Sequence, residues 1–206
     1  MWFCSEIIAQ PTSRLIETLR EMPNVNESLY LVSSLPGPRP NLPKNGLVFV
    51  RDLGHDEFNG RKLVPWPELP SAKDIELAIP PDIPRICNTD GFVVSSTVPI
   101  GFLQLLKWLS KETGAVVAYY SAFSWGGEFE YEFAWIFRPL ECVYSRIPGA
   151  NRIRTYREGV KPSEDEGNVL VLTLWRLGVD SPTWDFLPHN SSFDWRDCKI
   201  EPIAPG

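Results

Sequence analysis

The chain has 206 residues, of which 43% are hydrophobic and eight are tryptophan, so it can bury a sizeable core. Its net charge of −6 and isoelectric point near 5.0 argue against nonspecific nucleic-acid binding, which needs an excess of Lys and Arg. The chain begins without a basic leader, and no apolar stretch approaches the ~20 residues of a membrane helix. We therefore expect a cytoplasmic protein without membrane contact.

Short strands and one helix are predicted near the N-terminus. Residues 2–9 are apolar enough for a strand, and Pro11 then opens a helix with leucines at helical spacing. Pro23 marks the end of this helix, because proline cannot continue it. Residues 29–32 and 47–50 are predicted to be two further strands.

Proline dominates the next region. The chain has 20 prolines, and ten of them fall between Pro36 and Pro84. Such a density is incompatible with helix interiors and with central strands. The sequence therefore predicts a long irregular connection, or a small lobe of short strands, at about residues 36–98.

A helix followed by a β-hairpin is predicted in the middle of the chain. The helix begins at Pro99, where a missing N–H is tolerated, and ends at Gly114. Residues 115–123 are apolar and rich in β-branched or aromatic side chains, which indicates a buried strand. The turn at 124–127 joins this strand to a second one at 128–137, and its glycines supply the positive φ that tight turns need.

Beyond the hairpin, residues 141–147 and 151–156 are predicted to be two more strands. An acidic break at 163–167 precedes a third helix at about 168–177, for which a strand is the alternative because of its β-branched residues. The tail from Ser181 onward is rich in aromatic residues, so we expect it to pack on the body of the protein.

These elements predict the α+β class. The expected architecture is an antiparallel sheet with about three helices packed on one face, plus the long Pro-rich irregular segment. The whole chain, residues 1–206, is predicted to form a single domain.

The strand at 128–137 alternates strictly between two kinds of side chain. One face carries three carboxylates, Glu128, Glu130 and Glu132, and the other carries Phe129, Tyr131, Phe133, Trp135 and Phe137. The acidic row has three interpretations: a strand face that is solvated or paired with Arg152 and Arg154, a contact surface for a partner protein, or carboxylates for acid–base or metal chemistry. We favour a partner contact in which Trp125 of the adjoining turn acts as an aromatic anchor.

Catalytic and metal-binding signals are weak. His189 lies near serines and Asp194, but members of a catalytic triad usually come from different parts of a chain. His55 stands beside two acids and would be half of a metal site at most. The cysteines are too dispersed for a metal or disulfide pattern: Cys4, Cys87, Cys142 and Cys198. We therefore predict no catalytic residues, no metal and no cofactor.

Several segments of the C-terminal half carry a resemblance to known proteins. These are Leu109–Gly114, Ala118–Tyr120, Trp125–Glu128, Ala134–Phe137, Leu177–Val179 and Phe193–Trp195. Over roughly residues 98–200 the chain resembles small bacterial immunity-type proteins of polymorphic or contact-dependent toxin systems. The resemblance implies a non-enzymatic, acidic, cytoplasmic inhibitor that caps the active site of a toxin, often a basic nuclease. It brings no catalytic residues with it.

The leading hypothesis is therefore a protein-binding protein. Its exposed acids, Glu128, Glu130 and Glu132, would contact basic groups of a partner such as a toxin domain. One alternative is a small hydrolase that uses a carboxylate with His189 in a concave pocket. The other is an accessory subunit of a larger assembly, docked through the Pro-rich segment.

Overall fold

The computed structural model describes residues 2–35, 40–54, 63–70, 77, 98–138, 141–147, 149–190 and 192–200. Its strands are β1 (Trp2–Ala9), β2 (Leu29–Val32), β3 (Leu47–Val50), β4 (Val117–Trp125), β5 (Glu128–Phe137), β6 (Cys142–Arg146), β7 (Arg152–Arg157) and β8 (Val160–Glu166). Its helices are α1 (Ser13–Glu21), α2 (Ile100–Thr113) and α3 (Val169–Arg176). Short 3₁₀ turns occupy Asn26–Ser28, Leu187–His189 and Arg196–Cys198.

All eight strands form one antiparallel sheet in the order β2-β3-β1-β4-β5-β6-β7-β8. The strands from β4 to β8 follow one another as a meander of neighbouring hairpins. By contrast, β1 is inserted between β3 and β4, and it pairs with β4 along its whole length. The antiparallel sheet with three helices confirms the predicted α+β class.

The two faces of the sheet support two separate cores. On one face, here called the α1–α2 face, Leu15 of α1 and Phe102 of α2 pack against the large aromatic side chains of β4 and β5. On the opposite face, the α3 face, Val169 and Leu174 of α3 pack together with Phe186 of the C-terminal segment. The helices are thus divided between the faces, and the prediction of helices on one face is wrong.

The reason for two covered faces is visible in the central strands. Strands β1 and β4 carry apolar side chains at both odd and even positions, so both of their faces must leave water. Ile7 and Tyr119 belong to the α1–α2 core, whereas Ile8 and Tyr120 belong to the α3 core. The strict alternation of β5 suggested a sheet with one apolar face, but the neighbouring strand β4 contributes apolar side chains to both faces.

Helix ends follow the local signals in the sequence. The Thr12 hydroxyl accepts a hydrogen bond from the Leu15 N–H at 3.1 Å and so caps the start of α1. Helix α2 ends at Gly114, whose φ of 67° is the left-handed conformation typical of a glycine cap. Both helices have the predicted positions, and so does α3.

The acidic stretch at 163–167 is a strand rather than a break for most of its length. Residues of β8 pair with β7, and Arg154 stands directly opposite Glu164. The Arg154 side chain donates to the Glu164 carboxylate at 2.5 and 3.0 Å. Opposite charges across the ladder therefore stabilise a strand whose own residues are poor strand formers.

Part of the Pro-rich region lies outside the described residues, including 36–39, 55–62 and most of 71–97. The predicted strand at 47–50 is confirmed as β3, and it pairs with both β1 and β2. The accessory-subunit hypothesis depends on a segment that is only partly described, so it stays a prediction. Among the described residues, the helices are too short or too polar to cross a lipid bilayer.

Candidate functional site

The tip of the β4–β5 hairpin interrupts the alternation of β5. Ala122 pairs with Glu132 and Phe123 with Tyr131, but Ser124 pairs with Phe129, so Glu130 is the extra residue of a bulge. A bulge shifts the alternation by one position. Phe129 therefore packs with the α3 core, on the same face as Glu132, and its predicted position beside Tyr131 is wrong.

A cavity of about 270 Å³ lies on the α3 face beside this bulge. It is lined by Trp2, Tyr120, Phe129, Glu132, Asn168, Leu170, Trp184, Asp185, Phe186, His189 and Asn190. Five of the eleven lining residues are Trp, Tyr or Phe, and carboxylate, amide and imidazole groups lie between their rings. This combination is typical of a ligand-binding or partner-binding pocket.

Glu132 lies at the back of this cavity and is buried. Its carboxylate accepts hydrogen bonds from the Tyr120 hydroxyl at 3.0 Å and from the Leu170 N–H at 3.2 Å. Arg146 also donates to it, through Nε at 2.7 Å and Nη2 at 2.5 Å. Its prediction as an exposed partner contact is therefore wrong, because Glu132 joins β4, β6 and the start of α3 from within the fold.

Helix α3 is positioned partly by this carboxylate. The Asn168 side chain accepts from the Val171 N–H and caps the helix, while Glu132 accepts from the N–H of Leu170 in the first turn. A negative charge at a helix N-terminus is favoured by the helix dipole. Burial of Glu132 is thus explained by three kinds of partner: a cation, a phenol and a helix end.

Two of the three predicted acids remain exposed at the hairpin tip. Glu128 stands opposite Trp125 across the turn, and 61% of the Trp125 surface is exposed. No ion pair in the described part of the chain involves Glu128 or Glu130. The alternative pairing with Arg152 and Arg154 is wrong, because both arginines pair with Glu164 of β8 instead.

The rim of the cavity is built at the same end of the sheet as the hairpin tip. Trp2 pairs with Ser124, and its ring meets the Phe129 ring edge-on at a centroid distance of 6.1 Å. Trp184 from the C-terminal segment also borders the cavity, and 75% of its surface is exposed. Asp185 follows it in the chain and borders the cavity as well.

His189 lies in the wall of the cavity and contacts the buried carboxylate of Glu6 on β1. Its ring stacks on Tyr120 with centroids 5.6 Å apart and meets Trp2 edge-on at 6.3 Å. His189 ends the 3₁₀ turn Leu187–His189, and it has a carboxylate partner, as the hydrolase alternative expected. Glu6 was not predicted as this partner, because it is 183 positions away from His189 in a mostly apolar strand.

Two groups near His189 stay protonated because of their surroundings. Burial raises the pKa of the Tyr120 phenol well above its ordinary value, and the negative charge of Glu132 raises it further. Burial and the nearby Glu6 carboxylate likewise raise the pKa of the Cys4 thiol. Tyr120 therefore acts as a hydrogen-bond donor to Glu132 and not as a base.

The cavity can hold a cationic or aromatic group between its rings, with carboxylates nearby. Its lining, as far as the structure describes it, has no Ser, Thr or Cys to act as a nucleophile. A cluster of potential metal ligands adjoins the cavity wall, where donor atoms of Cys4, Glu6 and His189 lie within 4.8 Å of one another. His55, which the sequence suggested as half of a metal site at most, lies outside the described residues.

Comparisons with known proteins find nothing similar to this chain: no protein-family model matches it, and no match is found among curated proteins or among solved structures. The function of the cavity and of the hairpin tip must therefore be inferred from their shape, charge and exposure.

Proposed function

We propose that this chain is a non-enzymatic binding protein, an immunity-type inhibitor that contacts a basic partner protein such as a toxin domain. The contact is made by one end of the sheet, here called the binding end. The binding end consists of Trp125, Glu128 and Glu130 at the hairpin tip and Trp2, Trp184 and Asp185 at the cavity rim.

One observation carries this proposal: Trp184 is 75% exposed at the rim of an aromatic cavity. A tryptophan indole gains much free energy when it leaves water, and tryptophan is enriched among the residues that dominate binding energy. Trp125, at the same end of the sheet, is 61% exposed. Two exposed tryptophans at one end of the sheet, of which Trp184 lines a preformed cavity, favour a protein contact over a solvated surface.

Charge favours a basic partner. Glu128, Glu130 and Asp185 have no ion-pair partner among the described residues, and the whole chain carries a net charge of −6. Complementary charge accelerates encounter and selects the partner. A Lys or Arg side chain of the partner fits the cavity, because aromatic rings attract cations.

The hydrolase alternative has one observation in its favour. His189 and Glu132 line the same cavity, as that hypothesis required. However, Glu132 is fully engaged by Arg146, Tyr120 and Leu170, and His189 Nδ1 is buried without a hydrogen-bond partner. Neither group is available to a substrate in this arrangement, so the binding function is preferred. Turnover of generic ester, phosphoester or glycoside substrates that is lost in His189→Gln would reverse this preference.

The binding end can be tested with a pair of tryptophan variants. Trp184→Ala removes the exposed rim residue, and Trp175→Ala is the matched control, because Trp175 is 58% exposed on α3 and does not line the cavity. Tagged proteins would be used to capture partners from the native cells, with quantitative mass spectrometry. We expect a basic partner to be retained by the wild type and the control but reduced at least about tenfold by Trp184→Ala.

The inhibitor function needs a separate experiment with the captured partner. We expect expression of that partner alone to arrest a bacterial host and co-expression with the wild-type chain to restore growth. Trp184→Ala should restore growth less well than Trp175→Ala. Equal capture by both variants would contradict the binding end, whereas a harmless partner would contradict the inhibitor function alone.

A further inference from the structure

Three side chains with metal-binding groups converge between β1 and the C-terminal segment. Cys4 and Glu6 are two positions apart on β1, so both point to the α3 face. His189, in the 3₁₀ turn Leu187–His189, approaches them from above the sheet. One donor atom from each residue lies within 4.8 Å of the donor atoms of the other two.

The donor set has the chemistry of a zinc site. A thiolate sulfur, a carboxylate oxygen and an imidazole nitrogen are the three ligand types that Zn²⁺ uses in proteins. On a tetrahedral ion, such ligands lie about 3.4–3.7 Å apart, as the usual Zn–S, Zn–N and Zn–O bond lengths require. The three donor atoms lie within 4.8 Å of one another, which places them close to that range.

Unsatisfied polar atoms mark the same place. Among the described residues, Glu6 Oε2 and His189 Nδ1 are buried without a hydrogen-bond partner, although Glu6 Oε2 lies 3.8 Å from Arg51 Nε. Buried polar atoms normally have partners, and two unsatisfied atoms on adjoining residues suggest a bound ion or water. Cys4, Glu6 and His189 are all largely shielded from solvent, which distinguishes them from an exposed acidic cluster.

We propose that Cys4, Glu6 and His189 bind a zinc-type divalent cation that links β1 to the C-terminal segment. This inference is independent of the proposed binding function. The link would join positions that are 183 residues apart and would hold the segment that carries Trp184 against the sheet.

Neighbouring residues already orient the ligands. Arg51 Nε lies 3.8 Å from Glu6 Oε2, and its guanidinium stacks over Trp195 at 4.1 Å. Tyr120 stacks on the His189 ring and fixes its plane. Such outer partners are typical of metal sites, where they fix the ligands and tune their affinity. On binding, the cation displaces the proton of the Cys4 thiol, which leaves to solvent.

The test is a titration of the full chain, first freed of metal with a chelator, with Co²⁺ and then with Zn²⁺. We expect a thiolate-to-cobalt charge-transfer band with d–d bands of tetrahedral Co²⁺, saturating at about one equivalent and bleached by Zn²⁺. The charge-transfer band should disappear in Cys4→Ser and persist in Cys142→Ser, because Cys142 is a buried free cysteine outside the donor set. His189→Gln and Glu6→Gln should each weaken Co²⁺ binding by about tenfold or more.

Thermal unfolding gives a second readout, because a ligand that binds only the folded state raises the melting temperature. Zn²⁺ should raise the melting temperature of the wild type and of Cys142→Ser to the same extent, and that of His189→Gln by clearly less. If Cys4→Ser fails to fold, the loss of Co²⁺ binding in the His189 and Glu6 variants still supports the site. No cobalt spectrum in the wild-type chain, or binding unchanged by all three ligand substitutions, would overturn the proposal and leave a buried ion-pair network.

Discussion

Replacing Glu132 with Ala should reveal whether this carboxylate is a structural group and not a surface charge. The substitution leaves the Tyr120 hydroxyl, the Leu170 N–H and the Arg146 guanidinium without their acceptor. Removing one partner of a buried ion pair typically costs about 3–5 kcal/mol. Because the Arg146 side chain is 13% exposed and stacks over Phe129, it can regain some water, so we expect about 3 kcal/mol.

This loss is large compared with the total stability of a typical domain, which is about 5–15 kcal/mol. For a chain of this size it corresponds to a fall in melting temperature of roughly 6–12 °C. The assay is urea unfolding at pH 7, followed by tryptophan fluorescence and far-UV circular dichroism. Two coincident transitions would justify a two-state free energy.

Two controls sharpen the result. Glu130→Ala removes a carboxylate from the same strand at an exposed position, and it should change the free energy of unfolding by less than about 0.5 kcal/mol. A double-mutant cycle of Glu132→Gln with Arg146→Met measures the coupling between the two side chains, which we expect to exceed about 1 kcal/mol. A cost of less than about 1 kcal/mol for Glu132→Ala, or no coupling to Arg146, would refute the buried network.

Three further predictions concern the exposed acids, one turn and the buried phenol. Replacing Glu128 and Glu130 with Lys reverses the charge of the hairpin tip. The urea midpoint should stay nearly unchanged, but association with the partner should become slower in biosensor measurements. An unaltered association rate would argue against electrostatic steering. Gly46→Ala should lower the free energy of unfolding, measured in urea, by more than about 1 kcal/mol. Gly46 has a φ of 77°, and an added Cβ would lie 2.2 Å from the Val32 carbonyl oxygen. An unchanged free energy of unfolding would contradict this close approach. The raised pKa of Tyr120 means that the unfolded chain loses this proton first, so the free energy of unfolding should fall as the pH rises above about 10. Tyr120→Phe should flatten that decline in urea titrations between about pH 8 and 11, and an equally steep decline would show that other groups cause it.

Local patterns predicted most of the secondary structure correctly, because helices and strands are specified by nearby residues. The boundaries at Thr12 and Gly114 follow from capping, which needs only a few positions of sequence. The strand β8 was missed, because its stability comes from charge pairs with β7 and not from its own side chains. The face on which α3 packs was predicted wrongly, because either face of a sheet that is apolar on both sides can receive a helix.

The candidate site was harder to predict than the fold. The bulge at Glu130 reverses the face of Phe129, and nothing in the alternating sequence of β5 reports that shift. Burial of Glu132 depends on Arg146 and on the first turn of α3, which lies 38 positions away from it. One signal was available for the cluster behind the cavity: Cys4 and Glu6 are two positions apart on a predicted strand and therefore share a face.

The central place of β1 has a consequence for how the chain folds. The strands from β4 to β8 contact their sequence neighbours, so they can form early from local hairpins. In contrast, β1 needs β4, and 116 positions separate Ala9 from Trp125. At the usual rate of synthesis, of about 5–20 residues per second, roughly 6–23 s pass before its partner strand has been made. During that interval β1 can pair only with β3, which reaches Ile7, Ile8 and Ala9. The other edge of β1 stays open, so the nascent chain is expected to be a client of ribosome-associated chaperones until the second half of the sheet emerges.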